Sequence, residues 1–208
     1  MNYDQLKLDL PRCFDIMTGS WCAFDSEQDK ITKFVYYCYT LDECLAKIKK
    51  FNANENYALH KWYNFMTSEV VKSVFCRFGA VPEEDKYNKN AHFYINNVPF
   101  VVKLVSYPNS LIKDRPYDLK SRSGRNDMIK WFYDNRQLTD DKPINCIFVM
   151  FDGKDKRESL GMKSDFALIE NKIELFMNYV KTHDVNEITL DNENKETKLH
   201  SELLLIIK

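Results

Sequence analysis

Lys103 is the one charge in Phe100-Val101-Val102-Lys103-Leu104-Val105, a run that is otherwise apolar. Burying an ammonium without a partner is costly, so such a lysine either carries its charge to solvent along its apolar stem or serves a site. A second group could do anion chemistry. Ser121-Arg122-Ser123-Gly124-Arg125, just ahead of a helical pattern, offers hydroxyls, guanidinium groups and helix-start amides of the kind that surround a phosphate. It lies in a stretch holding Lys113, Arg115, Lys120, Arg122, Arg125, Lys130 and Arg136, seven bases against Asp114, Asp118, Asp127 and Asp134, a local excess of three positive charges. The interleaved aspartates make a solvated charged loop the competing reading. Trp62, Tyr63 and Phe65 beside His60 form either an aromatic binding platform or part of a core.

Other chemistries lack their signatures. There is no P-loop, no Gly-x-Gly-x-x-Gly and no Gly-x-Ser-x-Gly, so neither nucleotide hydrolysis nor α/β-hydrolase chemistry has a motif to rest on. Cys13, Cys22, Cys38, Cys44, Cys76 and Cys146 include no Cys-x-x-Cys pair and match no zinc-ligand spacing, which reads as reduced thiols in a cytoplasmic protein. The start at Met1 lacks a signal-peptide pattern, and no apolar run approaches the roughly 18 to 20 residues that span a bilayer, so no membrane partner is expected. With 30 Lys and Arg against 31 Asp and Glu, the chain has no overall basic field, and nucleic-acid binding would need a local patch. The 208 residues include only 5 Gly and 6 Pro with no linker-like tract, which predicts one domain.

These residues need elements to hold them. Thr40 is placed to cap a helix through Leu41, Cys44, Leu45 and Ile48, with Asp42 and Glu43 at its start and Lys47, Lys49 and Lys50 near its end. A helical region follows from about Asn56 to Phe78, broken near Thr67, with Val70, Val71, Val74, Phe75 and Phe78 as its apolar stripe and Gly79 as its C-cap. Ala91 to Leu104 reads as a hairpin turning at Asn96-Asn97, because asparagine tolerates the left-handed dihedrals of a tight turn. A helix is predicted over about Arg125 to Gln137, and Ile144 to Phe151 reads as a central strand covered on both faces. Ser164 is placed to cap a helix through Val180, Asp184 to Lys198 reads as a charged loop, and Leu203 to Ile207 as a closing strand. The order predicts an α/β fold with a mixed central sheet flanked by helices.

The succession of helix, two strands, helix and strand over about residues 67 to 151, with Lys103 late in the second strand, resembles the core of the PD-(D/E)XK nucleases, the restriction-endonuclease-like superfamily. That resemblance implies a restriction-endonuclease-like core, with an N-terminal helical addition and a C-terminal helix and strand. In the family, acids on the two strands hold magnesium, and the lysine helps to position the nucleophile for phosphodiester hydrolysis. Here Val101 stands two residues before Lys103 where an acid is expected, and His92 stands where the first-strand aspartate is expected. Imidazole suits manganese or zinc better than magnesium.

Two functions follow from the resemblance. In the leading one, the scaffold has lost its metal site and needs no cofactor. It then acts as a binding module for DNA or RNA, through Arg115, Lys120, Arg122 and Arg125, or for a protein, in a context of host–virus conflict or defence against foreign DNA. In the alternative, the protein is an active nuclease using Mg or Mn, in which Lys103 and Glu69 are catalytic and Glu83, Glu84, Asp85 and His92 are the candidate metal ligands. A homodimer is expected by analogy with the fold. An unrelated α/β interaction protein is the third reading.

Overall fold

The computed structural model describes residues 2–19, 24–85, 87–108, 111–112, 114–135, 143–192 and 195–207. The chain divides, within one long helix, into two compact units: residues 1–71 with 153–167, and residues 72–152 with 168–208. The predicted end of the 125–137 helix lies outside the described residues, as do Cys22, Lys113 and Arg136. No described helix is long and apolar enough to cross a membrane.

The first unit is helical: α1 (Tyr3–Ile16), α2 (Ser26–Ile31), α3 (Leu41–Phe51), the first part of α4 (Glu55–Arg77) and α6 (Lys156–Gly161). The α3 cap forms as predicted. The Thr40 hydroxyl accepts from the Glu43 N–H at 3.2 Å, and the Glu43 carboxylate reaches back to the Tyr39 N–H at 2.8 Å. Trp62 and Tyr63 are fully buried, their polar atoms donating to the Cys38 and Leu160 carbonyls, so both belong to the core and not to a platform. Two expectations are corrected. The helix α4 is continuous across Thr67, whose hydroxyl donates to the Asn64 carbonyl within the helix. Ser164 does not cap α7 (Phe166–Val180); its hydroxyl turns back to the Gly161 carbonyl.

The second unit carries a six-stranded mixed sheet. Its strands are β1 (Val81–Pro82), β2 (Phe93–Ile95), β3 (Val98–Ser106), β4 (Cys146–Phe151), β5 (Glu187–Asn192) and β6 (Lys195–Ile206), in the spatial order β1-β2-β3-β4-β6-β5. β1, β2 and β3 form an antiparallel meander, β4 runs parallel to β3 and to β6, and β5 returns antiparallel to β6. The β2–β3 turn is the predicted one, with Asn96 and Asn97 at φ 51° and 64°. Gly79, at φ +111°, closes α4 with its N–H on the Cys76 carbonyl, as its position predicts.

The predicted loop over 184–198 is largely sheet, because β5 and the first half of β6 pair from Glu187 with His200 to Asn192 with Lys195. Charge misled the reading there. Ile188, Leu190 and Leu199 are buried, and the charged residues alternate with them on the outer face.

β4 is buried along its whole length, as its continuous apolar run requires. On one face, Cys146, Phe148 and Met150 meet Met128, Ile129, Phe132 and Tyr133 of α5 (Arg122–Asn135). Phe132 stacks on Phe148 at 4.9 Å between ring centroids, and Tyr133 meets Phe148 edge-on at 5.7 Å. Elsewhere in this unit Phe75 of α4 stacks on Phe93 of β2 at 4.7 Å and meets Phe176 of α7 edge-on.

Candidate functional site

Strand register settles where the hairpin residues sit. Val101 lies opposite Cys146, and Lys103 opposite Phe148. Side chains alternate between faces along a strand, so Val101, Lys103 and Val105 share the face that packs against α5. Val101 and Val105 belong to that core, while Lys103, between them in the strand, is half-buried. Lys103 forms no ion pair with a described carboxylate.

His92 stands one residue before β2 and closes its ladder. Its N–H donates to the Phe100 carbonyl at 2.7 Å, and its ring Nδ1 accepts from the Val102 N–H at 3.1 Å. An Nδ1 that accepts a backbone N–H is unprotonated, so the proton of the neutral ring is on Nε2. Burial, together with the charges of Lys72 and Lys103, pulls the His92 pKa down to about 4. The ring does a backbone carbonyl's work in the sheet.

Of the candidate acids, Glu83 is joined to the hairpin through its backbone. Its N–H donates to the His92 carbonyl at 3.1 Å, and its carboxylate accepts from Tyr94 Oη at 2.8 Å, from the Asn88 amide and from the Asp85 N–H. Those bonds, the Asp85 N–H foremost, hold its pKa below the usual carboxylate range. Glu83 therefore organises its own loop. Glu84 and Asp85 are exposed, and Asp85 accepts from the Tyr87 N–H. Glu69 lies in the first unit, well inside the continuous α4. Among the described residues, no group of three or more His, Cys, Asp and Glu is disposed to hold a metal ion.

The basic stretch is divided by the fold. Arg115 pairs with Asp152 and lies over the Tyr107 ring at 4.0 Å, which commits it to its loop. Lys120, Arg122 and Arg125 gather at the start of α5, where Ser121 is the cap: its Oγ accepts from the Gly124 N–H at 3.0 Å and donates to the Asp118 carbonyl at 2.9 Å. The hydroxyl and that amide are thus already engaged. Arg125 donates to the Leu119 and Lys120 carbonyls, and Arg122 donates to Asn186 Oδ1 at 2.8 Å. Asn186 is fixed in turn by Asn126 and the Ser201 carbonyl.

These three bases line one wall of an open groove of ≈ 670 Å³ in the second unit. The opposite wall is α7, with Lys172, Leu175 and Tyr179, and the floor is the second half of β6 from Glu202. Burial raises the pKa of Glu202, and Arg125, Arg122 and Lys172 oppose the rise. Burial and the neighbouring Arg125 lower the pKa of Lys172. Lys172, Asn186 and Glu202 escape the sequence reading. Glu202 carried the same signal as Lys103, a single charge before an apolar run, Leu203-Leu204-Leu205-Ile206. Lys172 carried none, being one lysine on an amphipathic helix.

A second pocket, of ≈ 340 Å³ in the first unit, is lined by Tyr36, Tyr57, His60, Lys61 and Phe65. Its Lys61 ammonium is committed to Asp29 at 2.6 Å and to the Thr32 hydroxyl at 3.3 Å. Comparison with protein-family models, curated proteins and solved structures finds no match for this chain.

Proposed function

We propose that this protein is a restriction-endonuclease-like scaffold that works as a binding module for an anionic partner, with the groove between α5, α7 and β6 as its binding face. The observation that carries the reading is what occupies the two acid positions. Val101 is 5% exposed in an apolar core, and the His92 ring is spent on the Val102 N–H. A metal site there would have to break the β2–β3 ladder and place a carboxylate in that core, where charge is strongly disfavoured. The order of α4, the antiparallel β1-β2-β3, α5 and a β4 parallel to β3 supports the family reading. The cations converge on the groove, while Lys103 is isolated from them in the sheet.

The test combines calorimetric titration with magnesium and manganese, nuclease assays on single- and double-stranded DNA and RNA, and binding to a polyanion across a salt series. The expected result is no cleavage, with binding that weakens as salt rises and whose salt slope shallows in Lys120→Gln and Lys172→Gln. Those lysines are cleaner probes than Arg122 and Arg125, whose side chains also hold the fold. Metal-dependent cleavage that disappears in Lys103→Ala would overturn the proposal in favour of a nuclease with relocated acids.

A further inference from the structure

β6 has two halves with different neighbours. Lys195 to His200 pair with β5 on one side, and Ser201 to Ile206 pair with β4 on the other. Beyond Ser201, whose N–H donates to the Asn186 carbonyl at 2.8 Å, no described strand lies along the outer side of β6. Backbone groups alternate in direction along a strand. Ile206 accepts from the Asp152 N–H and so faces β4, which turns the backbone groups of Leu203, Leu205 and Ile207 toward the groove. The Leu203 N–H is met by its own neighbour, the Glu202 carboxylate, at 3.0 Å.

We propose that this open edge of β6 takes an added strand from an extended, acidic segment of a partner protein, a reading that rests on the groove being the binding face. Three observations select that occupant. The edge offers main-chain donors and acceptors in strand geometry, which a peptide backbone matches. The rim exposes Leu175 at 62%, Tyr179 at 45% and Ile207 at 51%, apolar surface that alternate side chains of an added strand would cover. The lining holds Lys120, Arg122, Arg125 and Lys172 against Asp184 and Glu202, an excess of two positive charges that favours an acidic strand. The same excess disfavours a second copy of this chain, because pairing edge to edge would bring two basic grooves together. Glu202 already serves as an internal stand-in, a carboxylate seated on an edge N–H among the groove's cations. An incoming strand displaces it from Leu203.

The test uses a fluorescein-labelled peptide of alternating Glu and Val, the same peptide N-methylated at alternate residues, and a single-stranded oligothymidine, each titrated into the full chain. Amide exchange is followed by NMR. The unmodified peptide is expected to bind, to protect the Leu205 amide from exchange, and to bind roughly two- to fivefold more tightly to Glu202→Gln, which removes the competing charge. N-methylation leaves charge and protein untouched but blocks the backbone bonds, and is expected to weaken binding at least about tenfold. Equal binding of both peptides would overturn strand addition while leaving the basic groove as a binding face. Displacement of the peptide by oligothymidine without Leu205 protection would reassign the groove to nucleic acid. Leu205 protection that rises with protein concentration alone would assign the edge to self-association. Binding of none of the probes would remove both the strand and the basic groove.

Discussion

His92 gives the sharpest prediction, because it is the residue on which a metal site and a structural role make opposite demands. The Val102 N–H donates to its Nδ1, so the folded protein requires an unprotonated Nδ1. Protonation turns that acceptor into a donor facing another donor, beside Lys72 and Lys103. The folded ring titrates near 4 against an ordinary 6.5, a preference for the neutral form of about 3 kcal/mol at 1.36 kcal/mol per pH unit. Part of the ring meets solvent, which reduces this to about 1–2 kcal/mol. The sign follows from proton counting: between pH 4 and 6.5 the unfolded chain binds the proton and the folded chain does not. The contribution is therefore complete above 6.5 and is lost as pH falls toward 4. Urea unfolding at pH 7.5 and pH 4.5, for the wild type and His92→Leu, isolates it, because the leucine variant cannot titrate at this position. The wild type is expected to lose about 1–2 kcal/mol more than the variant across that interval. An NMR titration should show the His92 ring neutral down to about pH 4. A His92 that titrates at 6.5 or above, or whose unfolding midpoint rises on adding manganese in the wild type alone, would refute the backbone-acceptor role.

Two further perturbations probe the frame around the groove. A Cβ on Gly124 would lie 2.2 Å from the Asp118 carbonyl oxygen and 2.6 Å from its carbon, so Gly124→Ala should destabilise the protein by about 1–3 kcal/mol in urea unfolding and loosen the Lys120–Arg125 wall; an unchanged midpoint would show that the close approach is not required. Phe148→Ala removes the ring that Phe132 and Tyr133 both contact and should cost about 3–5 kcal/mol, and a loss under about 1 kcal/mol would contradict the packing of α5 on β4.

Much of the frame was legible where local chemistry and burial agree. Asn96-Asn97 states its turn in its residue types, β4 in its unbroken apolar run, and the α3 cap in Thr40 and Glu43. Legibility failed where partners distant in sequence decide the structure. The residues 187–199 look like a charged loop because only one face of β5 and early β6 is buried. The break expected near Thr67 does not occur: α4 runs on, and the threonine hydroxyl finds its own partner, the Asn64 carbonyl, within the helix. The groove was half legible. Lys120, Arg122 and Arg125 were visible as a basic cluster, but Lys172, more than 45 residues downstream, joins them only through the packing of α7.

The two lone charges in apolar strands show how similar sequence signals part in the fold. Lys103 lies on β3 opposite Phe148 of β4, beyond the last β2 pair at Phe100. The Val101 N–H faces the β4 side, so by alternation the main-chain groups of Lys103 do too, and its side chain has no free main-chain group of its own residue to act on. Glu202 lies where β6 changes partners, and β5, which covers the outer side of early β6, begins only at Glu187 opposite His200. Its carboxylate therefore finds a backbone N–H and, close by, the cations of two helices. A charge on a residue whose main-chain groups face a paired neighbour is a cost that its stem must relieve, whereas a charge at a change of strand partner sits beside a vacant position in the ladder. That difference makes Glu202, more than Lys103, the residue about which binding should be sought.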